Sequence, residues 1–449
     1  MNRTTKILLV IGGAIVLSYP GIAWLAGMSI ESRIQHTEQQ ALAQVPYLTL
    51  VRREYHRGVY RSTEVATYGL RAPQAVKAAA SSRLPASATI TITSQIEHGP
   101  FPGLRTAALA IVDSTLVTPA ALQTALGSKP LLQAHTIIGI FGGANSRLTS
   151  PVLSVRLPDG STLSWGGLTG TVAATRGQAR WSAELSAPRL ASAGARGDIE
   201  LAGLEYSGSH HKAFDDLYLG TGTFTLERLE GSSPRSGNYS LQRLSIGSSS
   251  KVDGEFFGLR IDAALDGASI AAVQLKNVMY SQSLEHVHGP SFAAMMRAIR
   301  AAQRQAGGNP AQLQAGIQDA VRHYGADLLL RDPVLDIRQA SFAMPEGSFL
   351  LSAKISAPGL SRADLQWPAA IMALRSHAEV TASLRIDNGL VQKLVAMGGS
   401  SPKLGAQLTS LEQRGYLTAG SGAVTTHLDY SGGRLTLNGL PFPPAAPVN

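Results

Sequence analysis

His56 and His98 are the residues of this 449-residue chain best placed to do chemistry. Each closes a strand-like run, in Tyr55-His56-Arg57-Gly58 and in Glu97-His98-Gly99-Pro100. Two imidazoles brought together from neighbouring strands could converge on a ligand or a metal, or move a proton. A structural reading competes and is the stronger one. Pro100 has no N–H for a ladder, Gly99 tolerates positive φ, and Phe101 can staple the turn onto the core. His98 then shares a face with Ile96, points inward and hydrogen-bonds a loop carbonyl. His-Gly-Pro recurs at His288-Gly289-Pro290, where Pro290 opens a helix and its missing N–H costs nothing. Shared punctuation explains both motifs better than shared chemistry.

The other candidates are weaker. His286 and His288 have the i, i+2 spacing of a chelating pair in a strand, but no third ligand is apparent. His210 and His211 point to opposite faces if extended and read as solvated. The chain has no Gly-x-Ser-x-Gly, Walker loop, His-Glu-x-x-His or Gly-x-Gly-x-x-Gly at a strand-to-helix junction. Acidic residues are scattered, which leaves no paired-carboxylate site. The absence of cysteine removes disulfides, thiol catalysis and Cys-ligated zinc. No cofactor is expected.

The elements that would position these residues are mostly strands. Hydrophobic residues make up 44% and charged residues only 15%, a composition that folds and suits short strands with many turns. Net charge is +9, without the dense basic run of a nucleic-acid arm. Between Lys6 and Glu31 no charge occurs, long enough for a helix to cross a hydrocarbon core of about 30 Å. Residues 7 to 28 are therefore expected to be an uncleaved inner-membrane anchor. Arg3 and Lys6 keep the N-terminus cytoplasmic, and the body is periplasmic. Ile30, Ile34 and Ala41 then suggest a short amphipathic connector that lifts the body off the membrane.

Beyond it, "SATITITSQIEH" alternates with period two, and Arg57-Gly58, Asp159-Gly160 and Gly432-Gly433 mark hairpins. The strand segments show no fixed-period repeat. Near residue 290 the period becomes helical. Phe292, Met295, Met296 and Ile299 form one stripe, and Gly307-Gly308-Asn309-Pro310 divides two helices. That stripe either packs on the sheet or, being rich in adaptable methionine, contacts an acyl ligand or a second subunit.

The fold class expected is α+β and β-dominated. It comprises an N-terminal transmembrane helix, a long antiparallel β meander or curled sheet, a helical hairpin over about 290–330 packed on it, and C-terminal strands with two short helices. The organisation is a cytoplasmic tip and anchor over 1–29, a helical connector over 30–46, and an antiparallel β region over 47–289. A helical hairpin over 290–332, a C-terminal β region over 333–440 and a Pro-rich tail over 441–449 follow.

The anchor, "YHRGVY" at 55–60, "EHGPFP" at 97–102, "RDPVLDI" at 331–337 and "LTLNG" at 435–439 together resemble the YdgA-like family of inner-membrane-anchored bacterial proteins of unknown function. A looser similarity is to AsmA-like envelope proteins, whose curled sheets handle lipids. The resemblance implies a tethered periplasmic homodimer and no particular reaction. The function expected is a noncatalytic envelope protein that binds lipid or a protein partner through an apolar sheet face, with no nucleic acid. The alternative is a periplasmic hydrolase built around His56 and His98.

Overall fold

The computed structural model describes residues 23–442, apart from residues 25, 37, 40–41, 43–47, 71–87, 105, 119–129, 157–159, 196, 216, 235–236, 272, 307–308, 367–368, 398–401 and 421. Most of the expected anchor and the Pro-rich tail from 443 onwards lie outside the described residues. No helix among the described residues is long and apolar enough to cross a membrane. The expected β dominance is present, with 59% of the structure in strands. Compactness divides the chain into two units, residues 1–190 with 297–318 and residues 191–296 with 319–449.

In the first unit, strands β1 (Leu48–Arg57), β2 (Arg61–Leu70), β3 (Ala88–His98), β4 (Ala110–Val117), β5 (Leu132–Ile138) and β6 (Ala144–Ser150) pair antiparallel in sequence order. A hairpin of β7 (Leu153–Arg156) and β8 (Thr162–Trp165) turns at Gly160, as Asp159-Gly160 signalled. Then β9 (Leu168–Ala174) pairs with β6 and with β10 (Arg180–Gly194). Gly58 opens the first turn because a Cβ there would lie 2.4 Å from the Arg61 carbonyl oxygen.

The first unit also holds helix α1, whose described residues lie between 23 and 42. Ala23, Ala26 and Ile30 are buried at helical spacing, and Ile34 extends the stripe. Ile30 packs with Ile96, Ala110 and Val112 in the core, while Trp24 and Met28 are exposed. A helix was expected to end an anchor and then lift the body away. Among the described residues, Ala23, Ala26 and Ile30 of that segment are buried, Ile30 against residues of β3 and β4.

The second unit continues the meander. Strands β11 (Gly197–Phe214), β12 (Leu217–Ser233), β13 (Gly237–Asp253), β14 (Phe256–Ile270), β15 (Val273–His288), β16 (Val334–Met344), β17 (Gly347–Ser356) and β18 (Glu379–Asp387) pair in order. After the short β19 (Thr418–Ala419) come β20 (Ala423–Ser431), β21 (Arg434–Leu437) and β22 (Leu440–Pro441). β20 pairs with β18, β19 and β21. Every neighbour pair is antiparallel, the simplest wiring of a long sheet.

A crease crosses five of these strands. Gly203, Glu227, Arg243, Asp266 and Asn277 lie opposite one another and drop out of the ladders in a line. Gly203, Arg243 and Asn277, on alternate strands, have φ of 63°, 50° and 50°. Around the crease, exposure skips two residues instead of one. Leu226 and Leu229 are turned in while Glu227 and Arg228 are exposed, and Leu241/Leu244 and Leu275/Val278 repeat the pattern. Leu201/Leu204 and Leu265/Ala268 occupy the matching ladder positions on β11 and β14. The extra residue in each strand keeps aliphatic side chains on one face on both sides of the bend.

The expected helical hairpin is present as α2 (Gly289–Ala306) and α3 (Pro310–Leu329). Asn309 caps α3, its Oδ1 accepting from the Ala311 and Gln312 amides, with Pro310 at the first helical position. Shorter helices follow at Ala369–His377, Asn388–Met397 and Pro402–Gln413.

Candidate functional site

His98 is buried at 1% exposure, on the face of β3 that carries Ile96. Its Nδ1 lies 2.9 Å from the Ala23 carbonyl oxygen and its Nε2 lies 3.0 Å from Ser62 Oγ. A carbonyl only accepts, so Nδ1 carries the proton and Nε2 accepts from the Ser62 hydroxyl. Burial holds its pKa below the usual histidine value, against the opposing pull of the Ala23 carbonyl. His98 faces inward and bonds a backbone carbonyl as expected, with one difference. The carbonyl it binds belongs to α1, not to a loop. Gly27 is what lets the helix approach, since a Cβ there would stand 2.8 Å from His98 Cε1.

The turn after His98 departs from expectation. Gly99 does take positive φ, at 126°. Phe101, expected as the staple, is 52% exposed, and Pro102 is the fully buried residue.

His56 does not join His98. It is exposed and pairs with Thr63, between Tyr55 and Arg57, whose cross-strand partners Glu64 and Ser62 are buried. Alternation sends His56 to the opposite face of the sheet, with β2 between the two strands. The dyad on which the hydrolase alternative rests is not formed.

Beneath α1 lies a polar layer that sequence reasoning missed. Arg53 Nε is 2.5 Å from Glu64 Oε1, and its NH1 is 3.8 Å from Glu38. Tyr68 donates to Glu38 at 2.5 Å, and Arg57 pairs with Glu31 at 2.5 Å while covering the Trp24 ring at 5.3 Å. The Arg53 NH2 and Tyr55 hydroxyl are buried without a well-formed hydrogen bond among the described residues, although Ser62 is near enough to favour ionised Tyr55. Burial raises the Glu64 pKa despite Arg53, and burial also raises Tyr55 and Tyr68. The sequence signal was the alternation Arg53-x-Tyr55-x-Arg57 facing Ser62-x-Glu64, too polar to look like a core face. Chemically the layer fastens a helix to a sheet. Its carboxylates pair with guanidinium groups and a phenol, and the Ser62 hydroxyl that donates to His98 is buried with that ring under the helix.

In the second unit, His286 and His288 flank Phe256 instead of converging on a metal. His286 stacks on its ring at 4.1 Å, and His288 meets it edge-on at 5.7 Å. His286 Nδ1 donates to the Arg331 carbonyl at 2.6 Å, and His288 Nδ1 is 2.8 Å from Ser291 Oγ. No cluster of three or more potential metal ligands occurs among the described residues. A concavity of about 460 Å³ opens beside this stack, across β13 to β16, with Lys251, Asp253, Phe256, Gly258, Arg260 and Arg338 among its walls.

The α2 stripe is divided. Phe292 meets Phe257 edge-on at 5.3 Å and packs on the core formed by Leu219, Phe257 and Val287. Met295, Met296 and Ile299 are half-buried.

Fold and sites together define an antiparallel β scaffold with a polar layer under its first helix and a concavity on its long sheet. The chain belongs to a family of bacterial proteins of unknown function (DUF945), whose profile covers residues 1–445. No curated protein and no solved structure matches it.

Proposed function

We propose that the protein is a noncatalytic envelope protein, tethered in the inner membrane through the uncharged stretch that follows Lys6 and leads into α1, with its body in the periplasm. In this reading the apolar face of the second unit's sheet binds the acyl chains of lipids. The observation that carries it is the aliphatic face maintained on both sides of the crease. Ile246 and Ile270 lie on that face, one on either side of the bend, and are 39% and 57% exposed. Acyl chains need no directed hydrogen bonds, so a broad strip of branched aliphatics suits them better than it suits a polar metabolite.

The test is mass spectrometry of the detergent-extracted full chain. Wild type is expected to retain lipid, and Ile246→Glu with Ile270→Glu to lose most of it while keeping the same strand content by circular dichroism. Lipid retained equally by the folded double variant would overturn the reading, as would a wild-type protein that carries none.

A further inference from the structure

The concavity on β13 to β16 is independent of the apolar face. Phe257 and Leu259 also border it, but their side chains pack in the core, and Lys251, Asp253, Phe256 and Arg260, which alternate with that inward-facing set, project on the other face of the sheet. Its floor is Gly258. Nothing in the backbone demands glycine there: φ is ordinary, and a Cβ would meet its nearest neighbours at 3.8 and 4.0 Å. A side chain would fit the fold and fill the space.

The walls carry charges of both signs held ready. Arg260 is oriented by a two-point contact with Asp262, Nε at 2.7 Å and NH2 at 3.0 Å. A guanidinium has five N–H donors, so three remain. Lys251, across the ladder from Gly258, has no acidic partner within bonding distance among the described residues. Asp253 lies two residues further along the same strand and face, about 7 Å away at strand spacing, also without a basic partner among the described residues. Arg338 on the far side is held loosely, 3.5 Å from Glu285 and 3.5 Å from Asp336.

The backbone around the floor is bent on purpose. The β14–β15 register shifts beside Gly258, and His286 takes φ of 57°. A second irregularity between Ser281 and Gln282 displaces Arg338 on β16. Bulges that re-aim side chains collect beside binding sites, and a non-glycine residue at positive φ is held there by its surroundings. Here the result is His286 stacked on Phe256, which fixes that ring as a wall.

We propose that this concavity binds a phosphate ester that also carries an ammonium group, of which phosphoethanolamine is the simplest. The phosphate takes the spare donors of Arg260 and the Lys251 ammonium, which supply several hydrogens to a tetrahedral oxyanion. The ammonium sits toward Asp253 and the Phe256 ring. A single unpaired cation and a single unpaired anion on one strand face distinguish this ligand from a simple anion, which Asp253 and Glu285 would repel.

The experiment is calorimetric titration of the full chain in detergent with O-phosphoethanolamine, with inorganic phosphate, and with lysophosphatidylethanolamine. Wild type is expected to prefer phosphoethanolamine to phosphate by about tenfold, the effect of one added charge contact. Lys251→Glu should abolish both. Asp253→Asn should bring phosphoethanolamine down to the level of phosphate. Gly258→Val should block every ligand, with Gly258→Ala as the milder variant and circular dichroism confirming that each folds. Tighter binding of the lysolipid than of the soluble ester assigns the ligand to a lipid headgroup, and equal binding assigns it to a free ester. Wild type that binds none of the three refutes the proposal. So does a folded Gly258→Val that binds as wild type, or an Asp253→Asn that keeps the preference.

Discussion

Gly27 and His98 should be coupled through a contact that has room for a ring or a methyl group but not both. In wild type the Gly27→Ala methyl would lie 2.8 Å from His98 Cε1 and 3.0 Å from Nδ1. The ring cannot swing aside, because both nitrogens are bonded, to Ala23 and to Ser62. Overpacking of this kind costs about 1–3 kcal/mol, against a helix-propensity gain of about 1 kcal/mol for replacing glycine. His98→Ala alone leaves a cavity and two buried polar groups without partners, for a loss of about 3–5 kcal/mol. In the His98→Ala background the methyl enters vacated space, so Gly27→Ala should stabilise by about 1 kcal/mol. The two changes should thus couple by about 1–3 kcal/mol, with the sign of the Gly27 effect reversed between backgrounds. Two units make a single global transition unsafe. The assay is therefore native-state hydrogen exchange of residues 23–36 and of β3. Gly27→Ala costing the same in both backgrounds would show that helix and ring do not touch as described. His98→Gln supplies the companion measurement, since its amide can keep both hydrogen bonds and should cost only about 1 kcal/mol. A folded His98→Gln protein that lost its cellular role would instead return the histidine to chemistry.

Three further outcomes follow from the same geometry. The folded state holds His98 below its ordinary pKa, so the unfolded chain binds the extra proton first. Stability contributed by this group is present above the ordinary histidine value and is lost as pH falls from there toward the folded value. Denaturation midpoints of wild type should fall over that window and those of His98→Gln should fall less; parallel curves would remove His98 as the cause. Gly203→Ala should cost about 1–3 kcal/mol, because φ there is 63° and the new methyl would lie 2.6 Å from the Glu227 Cβ, and a chemical melt that does not move would argue against the crease. Phe292→Ala should destabilise the second unit by about 2–4 kcal/mol through the contact with Phe257, and exchange protection of β14 unchanged by it would place Phe292 outside the core.

The meander was legible because its strands alternate with period two and its turns carry the residues that turns require. Gly433 and Gly432 take φ of 77° and 57° where the last hairpin was read, and β3 carries His98 inward as its alternation required. The helical pair was equally plain, since its period changes at Gly289-Pro290. The crease was not. A period-two reading breaks at Leu-Glu-Arg-Leu and Leu-Gln-Arg-Leu, and each break alone looks like noise. Only when the ladders set Leu226 opposite Leu244 and Leu229 opposite Leu241 does the shared three-residue step appear. The role of α1 was hidden for a different reason. Small residues such as Ala23, Ala26 and Gly27 look the same in a lipid-facing helix and in one pressed against a sheet, and what decides is the partner. The polar layer escaped because buried Arg53 and Glu64 are recognisable only as a pair, from strands that the sequence does not align. The concavity escaped because its floor is a glycine, which offers a sequence reader nothing.

Long strands carry a hazard: the longer the pairing, the more ways it can be made wrongly. β11 runs for 18 residues and its neighbours for 17, 17, 15 and 16. A uniform zipper of that length could close one or two residues out of step at little penalty. The crease removes that freedom. A strand displaced by one residue would move its unpaired crease residue out of line with those of its neighbours and turn its inner aliphatic pairs to water. The same mismatch would be felt by the next strand, because the bend is shared. The line of five residues therefore works as a tally mark during assembly, against which each arriving strand is checked, and it makes misaligned pairing a self-limiting error instead of a seed for aggregation.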